Sequence, residues 1–186
     1  MSGRRPSRVS GDQPLAGVAD EVPDAIPADV ARTIVLRSLN QAARTRKQLA
    51  DLLSKRLVPD DVANDVLDRF VEVGLIDDLG YAENWVRSRH SVRGISRKVL
   101  RQELRQRGVG DADIDIALEQ IDEDDEFEAA VGLAERKLRA MSRFDESTQR
   151  KRLMGVLLRR GYGGAVATAV VNRVLSAEAA DEDVWV

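Results

Sequence analysis

SRKVLRQELRQRGVGDADIDIALEQI, residues Ser96–Ile121, is one of three versions of the same text in this chain of 186 residues. It can be set without gaps between TRKQLADLLSKRLVPDDVANDVLDRF (Thr45–Phe70) and QRKRLMGVLLRRGYGGAVATAVVNRV (Gln149–Val174). The columns then agree: Arg46, Arg97, Arg150; Lys47, Lys98, Lys151; Leu49, Leu100, Leu153; Leu53, Leu104, Leu157; Arg56, Arg107, Arg160; Val58, Val109, Tyr162. The match continues with Leu67, Leu118, Val171 and with Phe70, Ile121, Val174. Agreement over so many columns marks a tandem repeat. The apolar positions within each copy follow helical spacing, as in Val62, Val66, Leu67 and Phe70, so the repeat is built of amphipathic helices.

A further helical stretch precedes each copy: Val30 to Leu39, Tyr81 to Arg89, and Phe127 to Met141. The unit is therefore helix, basic helix, turn, helix. Thr45 and Ser96 are placed to cap the basic helices, and Asp145 starts a longer one in the third copy. Gly108 and Gly161 follow the helix ends as left-handed glycines, and Pro59-Asp60 and Asp111 open the next helices. Leu57 stands where the later copies have glycine, so that helix end is expected to be less sharply specified. The expected organisation is a disordered arm over 1–27, three-helix repeats over 28–77, 78–122 and 123–176, and an acidic tail over 177–186 in which Trp185 could dock. Three short helices bury little alone, so neighbouring repeats are expected to share a core in an elongated, curved, all-α molecule.

Composition narrows the function. Cysteine is absent and His90 is the sole histidine, which excludes disulfides, thiolate nucleophiles and His- or Cys-based metal sites. No cofactor is expected. No apolar run is long enough to span a membrane and no secretory signal opens the chain, so a cytoplasmic protein is expected. Asp77-Asp78 and Asp124-Asp125 read as helix starts and Gly161-Tyr-Gly-Gly as a helix-ending turn, leaving no catalytic constellation or phosphate loop. The protein is therefore not expected to be an enzyme.

The formal net charge of -3 hides segregation. From Gly80 to Arg107 the chain carries Arg87, Arg89, Arg93, Arg97, Lys98, Arg101, Arg105 and Arg107. From Asp111 to Glu128 it carries ten acids and no cation. Arg97, Arg101 and Arg105 follow i, i+4, i+8 spacing and share a helix face, with Leu100 and Leu104 turned toward the core. Like charges so placed repel unless something neutralises them. Either an anionic partner does so, or the acidic run does so internally. Arginine suits bidentate contact with carboxylates and phosphates alike. Tyr81 and Trp85 share a face at helical spacing and read as core aromatics, with base stacking the alternative. His90 reads as a surface or boundary residue.

GLIDDLGYAENWVRSR (Gly74–Arg89), followed by RGISRKVLRQELRQRGV (Arg93–Val109) and the three tandem repeats, resembles the bacterial RecX family. The resemblance covers about Ala28 to Leu175. It departs from the family's common pattern after Gly94, where many members carry proline and this chain has Ile95-Ser96. The resemblance implies a modulator that binds RecA assembled on single-stranded DNA, lodges in the filament groove, and restrains filament extension, ATP hydrolysis and strand exchange. Its expected partner is the RecA filament, with secondary contact to single-stranded or duplex DNA and no membrane, the protein itself acting as a monomer. The residues expected to meet that partner are Arg87, Arg89, Arg93, Arg97, Lys98, Arg101, Arg105 and Arg107, with Arg150, Lys151 and Arg152 extending the surface into the third repeat. Arg97, Lys98 and Arg107 recur in every copy and serve the common architecture in part. Those that do not recur in all three copies, Arg101 and Arg105 together with Arg87, Arg89 and Arg93, are the stronger candidates. The alternative is a free-standing helical DNA-binding regulator.

Overall fold

A computed structural model describes residues 27–183. The arm expected over 1–27, apart from Pro27, and Trp185 lie outside these residues. The described chain is all-α, in nine helices and one 3-10 turn: α1 (Pro27–Gln41), α2 (Arg46–Lys55), α3 (Asp60–Glu72), α4 (Asp78–Arg93), α5 (Arg97–Gln106), α6 (Asp111–Leu118), α7 (Glu123–Leu138), the turn Arg139–Met141, α8 (Glu146–Arg159) and α9 (Gly164–Asp183). Three helices make each repeat. Helix α9 carries on through Asp183, past the point where the sequence assigns an acidic tail.

The caps follow the sequence. Thr45 accepts from the Gln48 amide in a capping box, Ser96 from the Val99 amide, and Asp145 from the Thr148 amide. Gly108 and Gly161 close α5 and α8 with φ of 82° and 91°. Leu57 corrects the expectation for α2: it adopts φ 61° itself, and Val58 N–H returns to Leu53 as Val109 does to Leu104 and Tyr162 to Leu157. All three basic helices thus end alike. The leucine is tolerated there because its side chain is 90% exposed and no repeat packs on it.

The expectation of a shared core is also corrected. Each repeat has its own: Val35, Leu49, Leu53, Leu67 and Phe70 in the first, Val86, Leu100, Leu104, Ile114 and Leu118 in the second, and Leu133, Leu153, Leu157, Val170 and Val171 in the third. The paired leucines of each basic helix are fully buried. Each contributes about 1.5–3 kcal/mol, which lets a three-helix unit hold a core without borrowing one.

The repeats meet instead at helix ends, through two joints of one design. The Arg107 carbonyl at the end of α5 accepts the Thr45 hydroxyl at the start of α2 (2.6 Å), and Asp78 of α4 accepts the Arg46 amide (2.8 Å). The Arg160 carbonyl at the end of α8 accepts the Ser96 amide at the start of α5 (3.1 Å), and Glu126 of α7 accepts the Arg97 amide (2.9 Å). The basic helices therefore run head to tail in the order α8, α5, α2, giving an elongated body. Glycine is required at these joints. A Cβ on Gly108 would lie 2.3 Å from Lys47 Cβ, and one on Gly161 2.4 Å from Val99 Cγ2.

Candidate partner-binding surface

The start of α4 is held by Asp77, whose carboxylate accepts the Gly80 amide at 2.8 Å, and its end by Gly94 at φ 54°. This sets Tyr81, Trp85, Arg89 and Arg93 in one stripe at four-residue intervals. Tyr81 and Trp85 stack at 6.1 Å between centroids with ring planes 13° apart. Both are half-buried, packed on the second core with one side toward solvent. The indole N–H donates to Glu103 at 2.7 Å. Two guanidiniums rest on the indole, Arg89 at 4.2 Å and Arg107 at 3.7 Å from its centroid. Trp85 is thus neither a plain core residue nor a free stacking platform: it is an anchor for cations.

His90, expected at the surface or its boundary, lies further in. It is buried, and its Nδ1 lies 3.1 Å from the Ile95 carbonyl. A carbonyl only accepts, so Nδ1 carries the proton there. The histidine ties the α4–α5 connection to the end of α4.

The cations fall into groups that sequence alone did not separate. Arg101 pairs with Asp115 (2.6 Å) and Arg105 with Asp111 (2.7 Å), both across the α5–α6 pair. The hydrogen bond from Arg105 holds the Asp111 carboxyl below the usual carboxylate range, and the same bond raises the guanidinium. For these two residues the acidic run supplies the neutralising charge internally. Arg150 is likewise engaged, with Glu146 at 3.1 Å and Asn172 at 2.6 Å. Arg152 lies 3.9 Å from the Phe144 ring centroid. Leu100 and Leu104 are core. Arg107 belongs to the first joint, its Nε buried without a hydrogen-bond partner and its guanidinium held by Trp85. Among the described residues no carboxylate lies within 4 Å of the side-chain cationic groups of Arg87, Arg89, Arg93, Arg97, Lys98 or Lys151, and Arg97 meets Glu126 through its backbone amide.

Arg89 and Arg93 come together in a groove of about 540 Å³ between the first repeat and α4. Leu39, Ala43, Arg44 and Leu75 form one wall, and Tyr81, Asn84, Trp85, Ser88, Arg89 and Arg93 the other. Arg44 has no carboxylate within 4 Å among the described residues either, and the sequence reading did not single it out. Its signal is the run Arg44, Arg46, Lys47, which places a cation just before the Thr45 cap. The sole acid on the groove, Asp77, is committed to its cap. Arg87 is exposed but two residues off the stripe, so it faces away from this groove. Arg97 and Lys98 line a separate recess at the second joint, with Glu126, Leu158, Tyr162 and Val166. The groove combines an apolar wall, stacked aromatics and three arginines whose guanidiniums have no carboxylate within 4 Å among the described residues. Its chemistry is complementary to an anionic surface that also carries apolar area.

Models of the first, second and third three-helix domains of RecX match residues 31–70, 77–118 and 123–171. The chain is 46% identical over 157 residues to a protein of Streptomyces lividans named regulatory protein RecX, covering 84% of each. It is 44% identical over 162 residues to the protein of that name in Thermobifida fusca, covering 86% of this chain and 88% of the relative. In Mycolicibacterium smegmatis the figure is 42% over 176 residues, covering 88% and 93%. A crystal structure of RecX from Lactobacillus salivarius superposes with a TM-score of 0.70 at 22% identity, over 80% of this chain and 96% of that one. A second, of a regulatory protein RecX, gives 0.68 at 26% identity over 78% and 72%.

Proposed function

The chain belongs to the RecX family, and from that premise we propose that it binds RecA filaments on single-stranded DNA and inhibits their extension, ATP hydrolysis and strand exchange in recombination and repair. The observation that carries the reading is the groove spanning the first two repeats. Arg44, Arg89 and Arg93 line it with no carboxylate within 4 Å of their guanidiniums among the described residues, beside the Tyr81–Trp85 stack. A filament is a repeating polymer, and an elongated body with cations on successive repeats adds modest contacts by multivalency. Arg87, Lys98 and Lys151 extend the surface, and DNA contact is secondary. The protein acts as a regulator and carries out no chemistry of its own.

The test is co-sedimentation with RecA–single-stranded DNA filaments against DNA alone, with filament ATP hydrolysis followed in parallel. The protein should pellet with the filament and slow its ATPase, and Arg89→Glu with Arg93→Glu should lose both effects while keeping the helical circular dichroism. Tight binding to bare oligonucleotide without RecA, with a steep salt dependence, would instead establish a free-standing DNA-binding regulator.

A further inference from the structure

The two joints share a design but not their surroundings. At the second, the end-to-end hydrogen bonds are backed by packing. Helices α4 and α7 touch, and Gly94 comes so near that a Cβ on it would lie 3.2 Å from Leu133 Cβ and 3.3 Å from the Ala129 carbonyl oxygen. Val99 also lies against Gly161. At the first joint the bonds Thr45 to Arg107 and Arg46 to Asp78 are accompanied by the Lys47 stem over Gly108. Beyond those contacts the walls of repeats 1 and 2 stand apart across the groove, with Leu39 and Leu75 on one side and Tyr81 and Trp85 on the other.

We propose that the joint between repeats 1 and 2 is a hinge, that the joint between repeats 2 and 3 is stiff, and that the hinge angle sets the width of the Arg44–Arg89–Arg93 groove. A body held by a few helix-end hydrogen bonds and one lysine stem swings at low cost, whereas a joint whose helix end is also packed against Leu133 and Ala129 of a second helix resists it. Trp85 connects the hinge to the groove. Arg89, on the groove wall, and Arg107, whose carbonyl seats Thr45, rest on the same indole. An anionic partner that draws Arg89 away from the ring therefore disturbs the seat of α2, and the joint angle in turn moves Arg44 relative to Arg89. The hinge stands on the joints alone. Its coupling to a partner rests on the filament reading above.

Because the chain has no cysteine, pairs of introduced cysteines can be spin-labelled without background in the full-length protein. Ser54, Gln102 and Ala169 are exposed, one in each repeat. Double electron–electron resonance on Ser54→Cys/Gln102→Cys should give a broad distance distribution, and on Gln102→Cys/Ala169→Cys a narrow one. Asp78→Ala, which removes one joint acceptor, should broaden the first further and leave the second unchanged. Equal widths for the two pairs, or a broader second pair, overturn the hinge. Addition of RecA–single-stranded DNA filaments should narrow the first distribution. If the free protein behaves as expected and filaments bind without narrowing it, the coupling is overturned. If filaments do not bind at all, the filament reading fails and the hinge is untouched.

Discussion

Arg101 and Asp115 meet at 2.6 Å across α5 and α6, so a cation that looks available from sequence is already answered from within its own repeat. Arg105 and Asp111 repeat the arrangement one turn on. These pairs are solvent-accessible, so water and salt screen them and they add little to stability. Their significance is which charges they remove from the outer surface. Replacing Arg101 and Arg105 together by alanine should leave filament binding essentially unchanged in a sedimentation titration. Replacing Arg89 and Arg93 by alanine should weaken it by roughly tenfold or more, since a lost charge-assisted hydrogen bond costs about 1.5–3 kcal/mol. Equal losses from the two double variants would return the site to the outer face of α5.

Leu57 offers a cleaner test of the repeat logic. It sits in the left-handed region with its side chain in water, a conformation that costs an L residue about 1–2 kcal/mol relative to glycine. Leu57→Gly should stabilise the protein by about 1 kcal/mol, once the entropy cost of glycine is subtracted, and raise the thermal midpoint. Gly108→Ala should do the reverse, since its Cβ would fall on Lys47 as well as straining the backbone. Thermal melts followed by circular dichroism check both.

These two residues also show how far the sequence carries. The column alignment placed the helix ends, the caps of Thr45, Ser96 and Asp145, and the buried leucine pairs, because each is a local signal that repeats. It could not show that each repeat closes its own core, because that depends on how completely three helices enclose Leu49 and Leu53 in three dimensions. The cations were visible one by one, yet which were spent was not. Arg101 and Arg89 look equivalent in a helical pattern, and only the positions of Asp115 and Trp85 distinguish them. Asp78 read as a helix start. Its role as acceptor for Arg46 of the preceding repeat spans 32 residues and has no local signature.

Asp78 gives the joint a pH dependence of defined sign. Burial raises its pKa above the ordinary value of 3.8, Asp113 and Asp77 push in the same direction, and the Arg46 amide and charge oppose them. A carboxyl whose folded pKa is raised binds its proton more tightly in the folded state, so its ionisation costs stability as pH climbs from the unfolded value through the folded one. Asp78→Asn keeps an oxygen for the Arg46 amide and removes the half-buried charge. It should be at least as stable as the parent at neutral pH, with the advantage vanishing in acid below the ordinary carboxylate pKa. Asp78→Ala loses the acceptor and should cost about 1 kcal/mol. Denaturant titrations of the three proteins at neutral and acidic pH read these differences.

Tyr162 closes α8 in the column that holds valine in the other repeats. Its hydroxyl is buried without a hydrogen-bond partner, and burial pushes its pKa up to about 12. The folded protein therefore holds that proton where the unfolded chain has released it, and stability should fall as pH rises from about 10 through about 12. Tyr162→Phe removes both the unpaired hydroxyl and the titration. It should match the parent or exceed it by up to about 1 kcal/mol at neutral pH, and its stability should decline less steeply in alkali. An ultraviolet titration of the variant should lose the late-ionising phenol. A clear loss of stability in Tyr162→Phe at neutral pH would mean that the hydroxyl has a partner.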